Sequence, residues 1–196
     1  MVKVFLILAL IGFSCATAEN TVKFNYYSFK DISNNLNAFS KTDLDAPGPF
    51  NTRFIESKKI KFGRRHIVAD GFVPDLSGLP PLILIQHGNH SHKEAHRNQA
   101  KRLASWGFLA VSMQQKNSNN WISNGKRLAS MIKNIARKGR VLGRRFDRNK
   151  IILMGHSFGG SAVTIAASRG APVRGLILLD PAVVADSVLS SMSKAK

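Results

Sequence analysis

Apolar positions along the chain fall into two kinds of block. Four are continuous runs: LILIQ (82–86), FLAVSM (108–113), KIILM (150–154) and GLILLD (175–180). A strand covered on both faces of a parallel sheet reads this way, because neither row of its side chains meets water. Between these runs the apolar residues recur at helical spacing. In 93–106 they are Ala95, Ala100, Leu103, Ala104 and Trp106, closed by Gly107. In 122–142, Leu128, Met131, Ile132 and Ile135 fall at i, i+3, i+4 and i+7, one stripe facing a sheet. Residues 158–168 predict a third helix, built of small residues. Upstream, FIESKKIKF (54–62) and RRHIVADGFV (64–73) read as an antiparallel strand pair, and PDLSGLPP (74–81) as a turn cluster. Strand alternating with helix predicts βαβ units: an α/β fold with a mostly parallel sheet and helices on both faces.

The first residues break this scheme. Lys3 precedes an apolar stretch over 4–13, and Ala16-Thr17-Ala18 supplies an A-x-A cleavage signal. Residues 1–18 therefore read as a secretory signal peptide, which makes the protein secreted or periplasmic. The apolar stretch is shorter than the roughly 20 residues of a membrane-spanning helix, so no transmembrane segment is expected. Residues 19–50, rich in Asn, Ser and Asp, read as an irregular leader, and 51–196 as the single folded domain. Cys15 is the only cysteine and would leave with the signal peptide. That excludes a disulfide or a thiol nucleophile in the mature chain.

Composition changes the picture in one respect. With 44% hydrophobic and 20% charged residues the chain is globular, but 29 Lys+Arg face 11 Asp+Glu, a net charge of +18. Much of the excess lies in 126–150, along the polar side of the second long helix. Such a face suits an anionic partner surface, or is the solvated side of a helix in a basic protein. No aromatic residues interleave with these charges, so a specific nucleic-acid groove is not indicated.

KIILMGHSFGGSAVTIAAS (150–168) carries the candidate chemistry, a G-x-S-x-G between a buried strand and a helix. In that context Ser157 sits in a strained turn with its hydroxyl thrust out at the carboxyl edge of the sheet. Gly155 and Gly159 remove side chains that would strike the neighbouring strand and helix, and Gly160 and Ser161 keep the packing close. The turn sets the backbone N–H of Phe158 at a helix N-terminus, where it can hold a developing oxyanion. His156 adjoins the serine, but adjacent residues on a tight turn point apart, so it reads as a packing and hydrogen-bonding residue.

GHSFGG preceded by FDRNKIILM, a strand ending in LLDPAV, and LILIQHGN followed by LASWGFLAV together resemble one group of α/β-hydrolases. It contains chlorophyllases, plasma-type platelet-activating-factor acetylhydrolases and cutinase-like polyester hydrolases, and is similar to the wider dienelactone hydrolase family. The likeness spans about residues 47–185. It departs from dienelactone hydrolase at the elbow, where that family has cysteine and this chain has Ser157. The resemblance implies an α/β-hydrolase fold, a serine nucleophile and no cofactor. Its substrate would be a small-molecule, lipid or polyester ester. It also implies that Asn89, after the His87–Gly88 pair, supplies the second oxyanion N–H, and that Asp180 is the acid. Asp180 suits that role by ending a strand on the same sheet edge, although a turn-capping Asp before Pro181 has the same sequence; Asp186 is the reserve.

Two features complicate the loop 86–92. Asn89-His90-Ser91 is a formal glycosylation sequon, and a glycan there would block the site. His87, His90, His92 and His96 crowd together, but HKEAH is not H-E-x-x-H and no carboxylate or cysteine cluster completes a ligand set, so no metal is expected.

The base is missing from its expected place. In α/β-hydrolases the order is serine, acid, histidine. All six histidines (66, 87, 90, 92, 96 and 156) precede Ser157, and 16 residues follow Asp180. The chain therefore reads as C-terminally truncated: a fragment, an incomplete product or a degenerate copy. Two functions follow, an ester hydrolase acting through Ser157 or a catalytically inactive hydrolase-like module whose basic surface meets anionic partners. A serine peptidase of the same fold stays open as a third.

Overall fold

Strand β5 (Leu82–Gln86) shows why the sequence runs are continuously apolar. Leu82 and Leu84 enter one core and Ile83 and Ile85 the other, all at most 1% exposed. The structure is a computed structural model that describes residues 6–10, 25–27, 46–115 and 119–182. Around β5 lie β3 (Thr52–Phe62), β4 (Arg65–Pro74), β6 (Leu109–Gln114), β9 (Ile151–His156) and β10 (Gly175–Leu179). With β1 (Leu6–Leu10) and β2 (Asn25–Tyr27) they form an eight-stranded sheet in the order β2-β1-β10-β9-β5-β6-β4-β3. The four central strands, β10, β9, β5 and β6, are parallel; β4 and β3 join antiparallel on one side, β1 and β2 on the other.

Helix α1 (Arg97–Ser105) covers one face through Ala100 and Ala104. Helices α2 (Trp121–Lys138) and α3 (Phe158–Ser168) cover the other, α2 through the predicted stripe Leu128, Met131, Ile132 and Ile135. The architecture is that of an α/β-hydrolase: a mostly parallel sheet between helices. Register brings the chemistry to one edge, since Gln86 pairs with Gly155 and His156 with Leu179, so β5, β9 and β10 end nearly level.

Two element boundaries differ from the sequence expectation. The helix expected over 122–142 stops at Lys138, where Gly139 takes a left-handed conformation (φ 63°) and its N–H closes on Ile135 O at 2.8 Å. A short hairpin follows, β7 (Arg140–Val141) and β8 (Arg144–Arg145), turning on left-handed Leu142 and Gly143. The helix expected over 93–106 is a 3₁₀ turn, Lys93–His96, followed by α1, and both Ala95 and Trp106 are exposed rather than packed.

Residues 46–50 strap the far end of α1: Arg102 Nη2 donates to Ala46 O at 3.1 Å, Gly48 N to Ser105 Oγ at 2.9 Å and Phe50 N to Ser105 O at 3.0 Å. The cleavage signal at 16–18, Cys15, most of the leader 19–50 and Asp186 lie outside the described residues. No helix among the described residues is long and apolar enough to cross a membrane.

Candidate active site

Ser157 links β9 to α3 with φ 51° and ψ −125°, and its N–H donates to Leu179 O at 3.0 Å. A non-glycine residue in this region stores about 1–3 kcal/mol of strain. The neighbouring glycines make the turn possible. A Cβ on Gly155 would fall within 3.0 Å of the Gly159 carbonyl, and one on Gly159 within 3.0 Å of the Gln86 and His87 carbonyl oxygens at the end of β5. Phe158 opens α3, so its N–H has no acceptor inside the helix and stands at the positive end of the helix dipole.

The loop after β5 rests on this elbow. A Cβ on Gly88 would lie 3.0 Å from Ser157 Cβ and 3.0 Å from His156 Nδ1, so the structure brings Gly88 beside the serine, with Asn89 the next residue in the chain. His87, 2% exposed, locks the loop from behind. The backbone N–H of Gln115 donates to its Nε2 at 3.1 Å, which places the ring proton on Nδ1, and Nδ1–H donates to Gly88 O at 2.8 Å. With its basic lone pair occupied, His87 is a neutral structural imidazole. Gln114 ties the same loop at its other end, accepting from Lys93 N at 3.0 Å.

A buried charge network, not anticipated from the sequence, fixes the exit of the loop. Asp70 on β4 is fully buried and accepts from Lys93 Nζ at 2.9 Å, Arg97 Nη2 at 2.8 Å and Ser57 N at 2.9 Å. The irregularity in β3 between Ile55 and Lys58 is what turns the Ser57 N–H inward. Burial by itself would raise the Asp70 pKa, yet Arg97, the Ser57 N–H and Lys93 together hold it below the usual carboxylate value. Lys93 also bonds Glu94, and Ser112 Oγ donates to Lys93 O at 2.6 Å. Two sequence signals pointed here: an acid inside the apolar strand HIVADGFV, and Lys93 and Arg97 spaced i, i+4.

The remaining candidates are placed but not joined. Asp180 follows β10 with a left-handed φ of 46°, on the edge that carries Ser157. It is exposed, and among the described residues its carboxylate makes no hydrogen bond or ion pair. No described side chain hydrogen-bonds the Ser157 hydroxyl. His156 is exposed, its ring 6.0 Å from that of His96, and His96 bonds Gln99. Among the described residues no group of three or more His, Cys, Asp or Glu is arranged to hold a metal. On the basic face of α2, Arg127 donates to His66 O and Lys133 to Arg169 O, while Lys126, Arg137 and Lys138 are exposed.

The buried imidazoles make stability depend on pH. Burial lowers the pKa of both His87 and His96 from the ordinary 6.5. Below about pH 6.5 the unfolded chain takes up protons that the folded chain refuses, so stability is complete above that pH and falls as acid is added. Unperturbed carboxylates titrate at about pH 4, below the interval from pH 8 to 5.5, so this interval reads the imidazoles. The urea midpoint is expected to drop from pH 8 to 5.5, and less so in His87→Gln, whose amide oxygen can still accept the Gln115 N–H. A wild-type midpoint that is the same at both pH values contradicts this account.

A family model described as "Serine aminopeptidase, S33" matches residues 80–195, more than half of the chain, and takes in the loop 87–92, the elbow and β10. No curated protein matches the chain.

Proposed function

The chain belongs to the serine aminopeptidase S33 family of α/β-hydrolases, and on that premise we propose that it cleaves carboxylic esters by acyl transfer to Ser157. One observation carries the reading: a strained serine at a strand-to-helix elbow, with the N-terminus of α3 on one side and the Gly88 loop packed against the other. Ser157 Oγ attacks the ester carbonyl as a base takes its proton, and the N–H groups of Phe158 and Asn89 receive the oxyanion. The leaving alkoxide takes that proton and departs as the alcohol, and water, deprotonated in turn, releases the acyl group and restores the serine. Asp180 is the acid that would orient an imidazole base on this edge. The described residues supply no imidazole bonded to either Ser157 or Asp180.

Ester rather than peptide is favoured by the charges. An aminopeptidase must hold an α-ammonium group, which calls for a free carboxylate near the nucleophile. Among the described residues around the loop, Asp70 and Glu94 are both paired with cations, and Asp180 is assigned to the base. Within the esters, the likeness to chlorophyllases, acetylhydrolases and polyester hydrolases supports a lipid, polyester or small-molecule substrate. A second reading, an inactive hydrolase-like module with a basic face, draws on the exposed cations Lys126, Arg137 and Lys138 of α2.

A fluorophosphonate separates the two. Stoichiometric labelling of the folded wild-type chain, absent in Ser157→Ala, together with p-nitrophenyl acetate turnover lost in the same variant, is the expected result. A folded sample that neither labels nor turns over ester would sink the enzyme reading and leave the inactive module.

A further inference from the structure

A cavity opens on the sheet edge that carries Ser157. It measures about 630 Å³ and is walled by Arg65, His66, Gln114, Ser123 and Arg127 over a floor of Ile67 and Val68. Its position follows from strand direction. β4 runs antiparallel to β6, with Val68 opposite Gln114, so the start of β4 lies level with the end of β6. The order β9-β5-β6-β4 then sets the cavity two to three strands from the elbow, roughly 10–15 Å at the usual inter-strand spacing.

Its chemistry has one sign. No acidic residue lines it, and among the described residues neither Arg65 nor Arg127 pairs with a carboxylate. Arg127 donates one Nη2 bond to His66 O at 3.0 Å, while its Nε is buried without a hydrogen-bond partner. A buried guanidinium N–H costs free energy until an acceptor arrives. Ser123 adds a hydroxyl from the first turn of α2, at the positive end of that helix. Gln114 is the wall nearest the elbow, and its amide is the group that holds Lys93 N and contacts His87 Nε2.

The geometry points to an oxyanion-binding subsite, taking a carboxylate or phosphate group that the substrate carries roughly 10–15 Å from its scissile carbonyl. Two guanidinium groups and a hydroxyl match the planar or tetrahedral oxygens of such a group, and a shared edge lets one extended molecule reach both places. The substrate half of this inference rests on the ester-hydrolase reading; the binding half does not.

Calorimetric titration of the whole chain with inorganic phosphate and, separately, with glutarate reads binding without catalysis. It is done at low salt, where surface charge is least screened. Saturable binding of at least one anion is expected, phosphate alone marking a phosphate site and glutarate a carboxylate site. It should weaken about tenfold in Arg65→Ala/Arg127→Met and stay unaltered in Lys138→Gln, an exposed cation at the other end of α2. Among the described residues Arg65 makes no side-chain hydrogen bond or ion pair that Arg65→Ala would remove, so that single variant guards against misfolding. Identical titrations in wild type and the double variant, or no binding at all, overturn the site.

The catalytic arm compares p-nitrophenyl esters of matched acids with and without a terminal carboxylate. Faster turnover of the charged ester, lost in Arg65→Ala, supports the subsite. Equal turnover of both esters overturns its role in the substrate. Anion binding at the site with no turnover of either ester upholds the site and overturns the ester reading.

Discussion

Asp70→Ala is expected to destabilise the protein by about 3–5 kcal/mol, because it strands the buried ammonium of Lys93. For a domain of this size the thermal midpoint should fall by roughly 10 °C or more. The loss concentrates on Lys93. Arg97 is more exposed, retains Glu56 at 3.6 Å and lies over the Phe54 ring at 4.8 Å, so it can turn toward water. Lys93, with its side chain 7% exposed, keeps only Glu94. The damage should reach the site as well, since Lys93 closes the loop that begins at His87. A companion variant isolates the cause. Asp70→Ala combined with Lys93→Met removes the unpaired charge and should recover much of the midpoint; a double variant as unstable as the single one would show that the cost is not a stranded charge.

Gly159→Ala is expected to cost about 3 kcal/mol, at the upper end for one added methyl group, and about 10 °C in midpoint. The new Cβ would meet the carbonyls of Gln86 and His87, both backbone atoms at the end of a fully buried strand. No side chain there can swing aside. Relief requires α3 to lift from β5, which separates the Phe158 N–H from the Gly88 loop, so fluorophosphonate labelling should be lost even where the protein stays folded. Gly63→Ala is the control: its φ of 57° carries backbone strain, but nothing lies within 4 Å of the new Cβ. It should cost about 1 kcal/mol. Equal losses at Gly63 and Gly159 would refute the steric account of the elbow.

The elbow was legible in the sequence because its causes are local. Gly155, Ser157 and Gly159 occupy fixed offsets between an apolar strand and a small-residue helix, and a turn that tight tolerates few other side chains. The four central strands were legible for a similar reason: burial on both faces leaves no polar alternation to confuse the reading. Helix ends were less so. Arg140, Val141 and Leu142 could extend α2 by propensity, and only the left-handed Gly139 and the hairpin pairing of Arg140 with Arg145 stop it.

What the sequence determined by itself, then, was the α/β class, the mostly parallel sheet and the identity and setting of Ser157. These follow from side-chain periodicity and from contacts within a dozen residues. Tertiary structure decided the rest: the inward Ser57 N–H that joins Lys93 and Arg97 on Asp70, the tautomer of His87 set by the Gln115 N–H, and the meeting of Arg65 with Arg127 beside Gln114. Each unites residues 13 to 62 positions apart. Such partners leave no periodic trace in the chain, because strand order, not sequence spacing, brings them together.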